Sequence, residues 1–404
     1  MEHLRRPTLP RGVIVIGAGL AGAGVVTALR GRGFDGRITV LGAEGIPPYD
    51  RPPLSKELLS RTEPVWLADD LGLDVTLADD VRLATPAVGL RSDDDGWTVQ
   101  TAGAEVSGDA VVLATGSRPV RPPGWDAALT LHTAADADRL RAALTPGTRL
   151  VVIGAGWVGA EVAGVAAAAG VDVTVVEAAA APLTAALGPA GGLTTPWYAD
   201  AGVRLLLGAR VVSIDDAGVT LADGQVLAAD VVLAAVGARP WTRWAEGAPA
   251  AQNGSWPVAP GGQVLDAPAG LFAVGDVARR RSGRHGWVPG GHWDGALRGP
   301  AVVAATLLGA EDGPDDPAPY VFSHQLGHDL AVFGTPGPGD DVVRRGDAGA
   351  LWFRPGTDVL TAALSIDRPR DASAARRLFA RDTLPQLDRA RAADPGTALR
   401  EAAR

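Results

Sequence analysis

The same strand-to-helix turn occurs twice in this chain. Val13-Ile-Val-Ile-Gly-Ala-Gly-Leu-Ala-Gly22 and Leu150-Val-Val-Ile-Gly-Ala-Gly-Trp-Val-Gly159 each run from a short apolar segment through G-x-G-x-x-G into an alanine-rich, helix-forming stretch. Each is followed by a second β-type run, Ile38–Leu41 and Val171–Val176. Two βαβ units are therefore predicted. In such a turn Gly17 and Gly154 allow the sharp bend, Gly19 and Gly156 let the backbone approach a pyrophosphate, and Gly22 and Gly159 let helix and strand pack closely. The helix start then offers amide donors and the positive dipole end to the phosphates. One copy of the motif is a weak signal for dinucleotide binding; two in the same context are strong. Glu177 follows the second strand of the second unit, where a carboxylate hydrogen-bonds an adenosine ribose and repels a 2′-phosphate. Ala178–Ala181 contains no arginine to bind such a phosphate, so NADH is expected rather than NADPH.

Composition narrows the chemistry. The chain has 404 residues, 47% hydrophobic and 21% charged, enough for two or three cored domains. A formal net charge of −9 argues against a nucleic-acid partner. Cysteine is absent, which excludes thiolate, dithiol and cysteine-ligated cluster chemistry, and with it the thiol-disulfide reductases. No H-E-x-x-H or other ligand constellation gathers His285, His292, His324 and His328, so no metal is expected, and no G-x-S-x-G elbow supports serine hydrolysis. Arg5, Arg6 and Arg11 before the uncharged stretch Gly12–Leu29 have the form of a signal peptide, but five glycines interrupt it and its pattern recurs near residue 150. No stretch reads as a membrane span, and a cytoplasmic location is expected.

Further along, Asp109-Ala-Val-Val-Leu-Ala-Thr-Gly116 and Asp230-Val-Val-Leu-Ala-Ala-Val-Gly237 are near duplicates, each a buried strand ending in glycine. Trp97–Thr101 has a short β pattern. Residues 311–319 read as a linker. From Tyr320 a smaller α+β domain is expected, with strands near 330 and over 350–366 and a helix over 372–380, followed by a frayed or surface-helical tail.

Several segments together resemble the FAD-dependent, NADH-linked ferredoxin reductases of bacterial oxygenase and cytochrome P450 systems. They are Gly17-Ala-Gly-Leu-Ala-Gly22, Pro48-Tyr-Asp-Arg-Pro-Pro-Leu-Ser-Lys56, Ala114-Thr-Gly-Ser-Arg-Pro119, Gly154-Ala-Gly-Trp-Val-Gly-Ala-Glu161, Val236-Gly-Ala-Arg-Pro240, Phe272-Ala-Val-Gly-Asp276 and His292-Trp-Asp-Gly-Ala-Leu-Arg298. The run ending at Lys56 discriminates best, because broader two-dinucleotide flavoproteins share the glycines but not this segment. The resemblance implies an α/β fold of two Rossmann-like dinucleotide-binding domains, for FAD and NADH, plus a small α+β C-terminal domain. Residues 1–117 and 237–315 would form the FAD domain, 118–236 the NADH domain and 316–404 the interface domain.

It also implies site residues. FAD would be bound by Gly17, Gly19, Leu20, Ala21, Gly22, Ala43, Glu44, Arg51, Pro52, Lys56, Val88, Ala114, Thr115, Gly116, His132, Gly275, Asp276, Trp293 and Phe322. NADH would be bound by Gly154, Gly156, Trp157, Val158, Gly159, Glu161, Glu177, Val236 and Gly237. Lys56 and Glu161 are the catalytic candidates: the lysine beside the flavin ring, where positive charge favours the anionic reduced form, and the glutamate facing the nicotinamide and pairing with that lysine. Lys56 is the only lysine among 37 basic residues. Glu161, placed on the first turn of its helix, also has a plain reading as a helix-dipole carboxylate. Hydride transfer itself requires no acid or base side chain.

Departures from the family pattern are expected to bear on FAD retention or partner choice. Gly42 is followed by Ala43 and only then by Glu44, which is expected to take over the ribose contact. His132 replaces an arginine, Gly291 replaces a glutamate, and the aromatic-Ser-Asp-Gln segment reads Phe322-Ser-His-Gln325. The basic run Arg279-Arg-Arg-Ser-Gly-Arg284 reads equally as a patch for an acidic partner and as an ordinary loop. The implied partner is a [2Fe–2S] ferredoxin or a rubredoxin, and the implied assembly a monomer or homodimer. Two alternatives stay open: an NADH oxidase or dehydrogenase using oxygen or quinone, and an NADH-responsive interaction module.

Overall fold

The computed structural model describes residues 9–94, 96–215, 217–245, 254–310 and 315–404. Residues 311–314 of the expected linker lie outside them. The chain divides into two compact units, each assembled from three separated segments. The first comprises the chain up to Asp50, Val65–Arg118 and Arg239–Pro319; the second comprises Arg51–Pro64, Pro119–Ala238 and Tyr320–Arg404.

In the first unit five parallel strands lie in the order Leu271–Ala273, Ala110–Leu113, Gly12–Ile16, Arg37–Leu41, Asp80–Arg82. Both faces are covered, which is why the strands read as unbroken apolar runs rather than alternating ones. One face buries Val13, Val15 and Val112 under helices Leu20–Gly31 and Trp293–Leu307. These helices meet where a Cβ on Gly24 would lie 2.8 Å from Cγ of Pro300. The opposite face packs Ile14, Ile16 and Val111 against Trp97, Val99 and Trp256. Trp97 comes from the antiparallel meander Ala87–Asp93, Gly96–Thr101, Glu105–Gly108.

The second unit carries a four-stranded parallel sheet in the order Arg204–Leu207, Asp172–Glu177, Arg149–Ile153, Val231–Ala234. It also carries a five-stranded antiparallel sheet in the order Tyr320–Gln325, His328–Gly334, Leu360–Ile366, Gly349–Phe353, Asp341–Arg344. A single core runs from Leu150, Val152 and Val175 of the first sheet to Leu330, Trp352 and Leu364 of the second. Helix Pro369–Phe379 buries Ala375, Leu378 and Phe379.

One expectation changes. The C-terminal tail is docked rather than frayed: Ala392, Leu399 and Ala402 are buried, and carbonyls at 392, 394 and 397 accept hydrogen bonds from the guanidinium of Arg345. An alanine- and arginine-rich composition looks solvated only while the buried donor that binds it is not recognised. The compact units group the chain by contact, which is a different division from that by expected cofactor. Residues 51–64 group with the second unit, not with 1–50, and 320–404 group with 119–238.

Candidate active site

In the first unit the carboxyl ends of adjacent parallel strands bring Gly17, Gly42–Ala43, Ala114–Gly116 and Gly275–Asp276 to one edge of the sheet, where open α/β sheets bind ligands. Gly17 has φ +111°, and a Cβ there would lie 2.1 Å from the carbonyl oxygen of Ala114. A Cβ on Gly22 would lie 1.8 Å from the carbonyl oxygen of Gly17, so both glycines are required by the fold. Gly19 is different: a Cβ there meets nothing within 4 Å. The helix it starts, Leu20–Gly31, has no capping side chain and no acid in its first turn. Helix Ala134–Ala143, by contrast, is closed by a capping box of Thr133 and Asp136. An uncapped helix start behind an unobstructed glycine is the arrangement a pyrophosphate fits.

Around this cradle Thr115 donates to the carbonyl of Trp241 at 2.8 Å, and Ser117 donates to Oδ2 of Asp276 at 2.7 Å. Gly291 has φ +96° and donates its N–H to Oδ1 of Asp276 at 3.2 Å. A glutamate would be strained in that left-handed conformation, which gives the departure at 291 a backbone cause. Glu44 accepts from the Tyr49 hydroxyl, and Ala43 is exposed. Trp293 is 38% exposed, with its indole N–H on Oδ1 of Asp50 at 2.7 Å. Leu20 is half-buried, Ala21 is buried, and Val88 stands exposed on the meander. Arg51, Pro52, Lys56, His132 and Phe322 all belong to the second unit.

The second unit repeats the cradle. Gly154 has φ +105° with its Cβ position 2.5 Å from the carbonyl oxygen of Ala235, and that of Gly159 is 2.1 Å from the carbonyl oxygen of Gly154. Gly156 again faces open space, and helix Trp157–Ala168 starts without a cap or a first-turn acid. Glu177 accepts from the N–H groups of Ala155, at 2.8 Å, and Ala179, at 2.7 Å, which holds its carboxylate beside the turn. Trp157 is half-buried. Val158 and Val236 are exposed apolar side chains, and Gly237 has φ +102°.

Lys56 ends the short helix Pro53–Lys56 and makes an ion pair with Oε1 of Glu161. Glu161 is not in the first turn of its helix, which contains no acid, and it is buried at 4% exposure. The dipole reading is therefore replaced by a specific cluster. Ser55 donates to Glu161 Oε2 at 2.6 Å, Ser323 donates to Oε1 at 2.5 Å, and Gln325 Nε2 donates to the Ser323 oxygen at 3.0 Å. Ser55, Ser323 and Gln325 lie within segments noted in the sequence but receive no role there, because uncharged side chains such as Ser55 and Ser323, 106 and 162 residues away from Glu161, do not signal that they meet it. Nearby, Arg51 donates to the carbonyl of His132, whose own N–H donates to Asp136 Oδ2 at 3.1 Å. Phe322, beside Ser323, is 48% exposed.

The remaining candidates disperse. His324 pairs with Asp329 at 2.7 Å, while His328 pairs with Asp367 at 2.6 Å and stacks on Trp197. Among the described residues no cluster of three or more His, Asp or Glu converges as a metal site. In the basic run Arg280 and Arg284 both bind Asp316, and Arg279 stacks on Trp287, so most of its charge is used within the first unit. No helix among the described residues is long and apolar enough to cross a membrane.

Comparison with known proteins agrees with this geometry. The pyridine nucleotide-disulphide oxidoreductase family matches residues 11–295, and the Reductase C-terminal family matches residues 320–403. The ferredoxin reductase component of chlorobenzene dioxygenase from Cupriavidus sp. (strain PS12) is 34% identical, covering 97% of both chains. The ferredoxin–NAD(+) reductase subunit of the benzene 1,2-dioxygenase system of Pseudomonas putida is 33% identical, covering 91% of this chain and 92% of its own. The crystal structure of the covalent putidaredoxin reductase–putidaredoxin complex superposes with a TM-score of 0.86 at 27% identity, covering 97% of both chains. The chain belongs to the pyridine nucleotide-disulphide oxidoreductase family, in its ferredoxin reductase branch.

Proposed function

We propose that the protein is an NADH-dependent ferredoxin reductase that carries electrons from NADH, by way of FAD, to a small iron–sulfur ferredoxin serving an oxygenase or a P450. FAD, when bound, would supply the conversion between two-electron and one-electron chemistry. Everything else is done by the chain. Gly17, Gly19 and Gly22 with the start of helix Leu20–Gly31 hold the FAD pyrophosphate, and Asp276, fixed by Ser117 and Gly291, holds the ribityl chain. Gly154, Gly156 and Gly159 hold the NADH pyrophosphate, while Glu177 takes the adenosine ribose and turns away a 2′-phosphate. Residues 1–117 and 237–315 serve FAD, 118–236 serve NADH, and 316–404 serve the partner interface. Lys56 presents a fixed positive charge at the flavin and Glu161 orients it. We infer a cytoplasmic location, a compartment that supplies NADH.

The observation that carries this reading is the repeated uncapped cradle, Gly19 and Gly156 each opening onto unobstructed space. The test is anaerobic stopped-flow absorbance of the FAD-loaded protein mixed with NADH and, separately, NADPH. Fast bleaching with a strong NADH preference, and cytochrome c reduction that depends on added ferredoxin, are expected. Failure to bind FAD, or bleaching by neither nucleotide, would refute the reading.

A further inference from the structure

Glu161 is buried, and its carboxylate is held by polar partners. Lys56 and Ser323 share Oε1, and Ser55 takes Oε2, so three donors hold one carboxylate. The hydroxyl proton of Ser323 is committed to Glu161, so its oxygen is left to accept, and Gln325 Nε2 donates to it at 3.0 Å. The order of donation runs from Gln325 to Ser323 to Glu161, with no freedom to reverse. Gln325 Oε1 accepts from no described residue, although the side chain is 1% exposed. A buried acceptor without a donor costs stability, and an apolar pair would fill the same space without that cost. The two side chains are adjacent inward positions of strand Tyr320–Gln325, and His324 between them points to the other face, where it pairs with Asp329. The hairpin that carries them is seated on the helix of Glu161: a Cβ on Gly164, one turn beyond Glu161, would lie 2.8 Å from the backbone nitrogen of Leu326.

We propose that Ser323 and Gln325 are positioning residues that hold the Glu161 carboxylate against Lys56, so that the C-terminal segment sets how firmly the chain's single lysine is held. The inference rests on the reading above for the place of Lys56 beside the flavin, but the network can be tested without it.

Because Lys56 is the only lysine, an amine-acylating reagent can modify only Lys56 and the α-amino group, and the latter is an internal reference within each molecule. An amine nitrogen engaged against a fixed carboxylate is less available to the reagent and acylates slowly. One hydrogen bond to a charged group corresponds to about a tenfold shift in an equilibrium. In the flavin-loaded protein, Ser323→Ala is expected to speed Lys56 acylation about tenfold relative to the α-amino group. Ser323→Thr, which keeps the hydroxyl, is expected to restore the wild-type rate, and Gln325→Leu to give an intermediate one. The limiting rate of flavin reduction by NADH is expected to fall in Ser323→Ala with the affinity for NADH unchanged. Melting curves identify any variant that fails to fold, and the threonine variant then carries the comparison. Wild-type acylation in folded Ser323→Ala would overturn the proposal. Accelerated acylation with an unchanged reduction rate would support the network and remove instead the place of Lys56 beside the flavin.

Discussion

Two ion pairs in the same unit, one fully and one partly buried, use the same chemistry to different ends. Arg345 and Asp371 are closed on all sides. Arg345 Nε and Nη2 reach Asp371 at 3.0 and 3.3 Å, and the remaining donors reach the carbonyls of Ala392, Asp394 and Thr397 at 2.5 to 2.7 Å. All five guanidinium protons are used. Lys56 and Glu161 are left incomplete: the lysine side chain is 22% exposed, and the supporting amide of Gln325 has an oxygen with no donor among the described residues. A buried charge contributes to the fold when every partner is internal. One that keeps a face open is available to something else. The same division runs through the glycines, since Gly22 and Gly159 are hemmed in by backbone whereas Gly19 and Gly156 are not.

The sharpest way to break this comparison is to remove the closed pair. Arg345→Leu leaves Asp371 buried without a counter-charge and removes a donor from three carbonyls, of which that of Asp394 keeps the Thr397 N–H, so a loss of about 3–5 kcal/mol is expected in urea unfolding. Flavin reduction per bound FAD should stay within about twofold of wild type, because the partners of Arg345 are Asp371 and carbonyls of the tail, none of them a proposed site residue. A comparable loss of reduction rate would end the division between closed and open pairs. Next in size are the glycines. Gly159→Ala forces a methyl to 2.1 Å from a carbonyl oxygen, and a destabilisation of about 1–3 kcal/mol is expected by thermal melting. Gly156→Ala should leave the melting curve in place and weaken NADH binding about tenfold in a nucleotide titration.

Glu161→Gln tests the open pair directly. It keeps the shape and removes the charge, and it should slow NADH reduction of the flavin about tenfold, about 1.4 kcal/mol of barrier. Its stability should fall by less than that of Arg345→Leu, and the reverse ranking would contradict the comparison. The smallest effect concerns His285. Burial first, and then the Arg284 guanidinium, push its imidazole down to about 4 from 6.5. The unfolded chain therefore binds a proton that the folded chain refuses, and stability falls as pH drops from about 6.5 to about 4. With allowance for solvent screening the loss is on the order of 1 kcal/mol, and His285→Gln should flatten it in melts across that range.

The difference between closed and open groups also separates what the sequence displays from what it hides. Gly17, Gly19 and Gly22 are legible because a fixed spacing within one turn encodes their geometry, and the echo at Gly154, Gly156 and Gly159 repeats it. Lys56 is conspicuous by being alone. Ser323, Gln325 and Arg345 are not legible in the same way. Arg345 looks like any other arginine until carbonyls some fifty residues downstream are seen to converge on it. Ser323 becomes meaningful only when strand alternation turns it inward onto a helix that begins at Trp157. Local periodicity predicts strands and helices over most of their length, whereas the grouping of residues 51–64 with 119–238 and 320–404 depends on contacts that no window of sequence spans.

That grouping bears on how the protein is made. The second unit draws on Arg51–Pro64 and on segments as distant in sequence as Tyr320–Arg404, so its contacts close large loops. Closing such loops is entropically expensive and slow. On the ribosome the parallel sheet of this unit waits with an apolar face uncovered until the antiparallel sheet has emerged, and Arg345 finds its last acceptors only after that. A later element completes this core, so products that stop before Tyr320 expose an apolar face that the antiparallel sheet would cover.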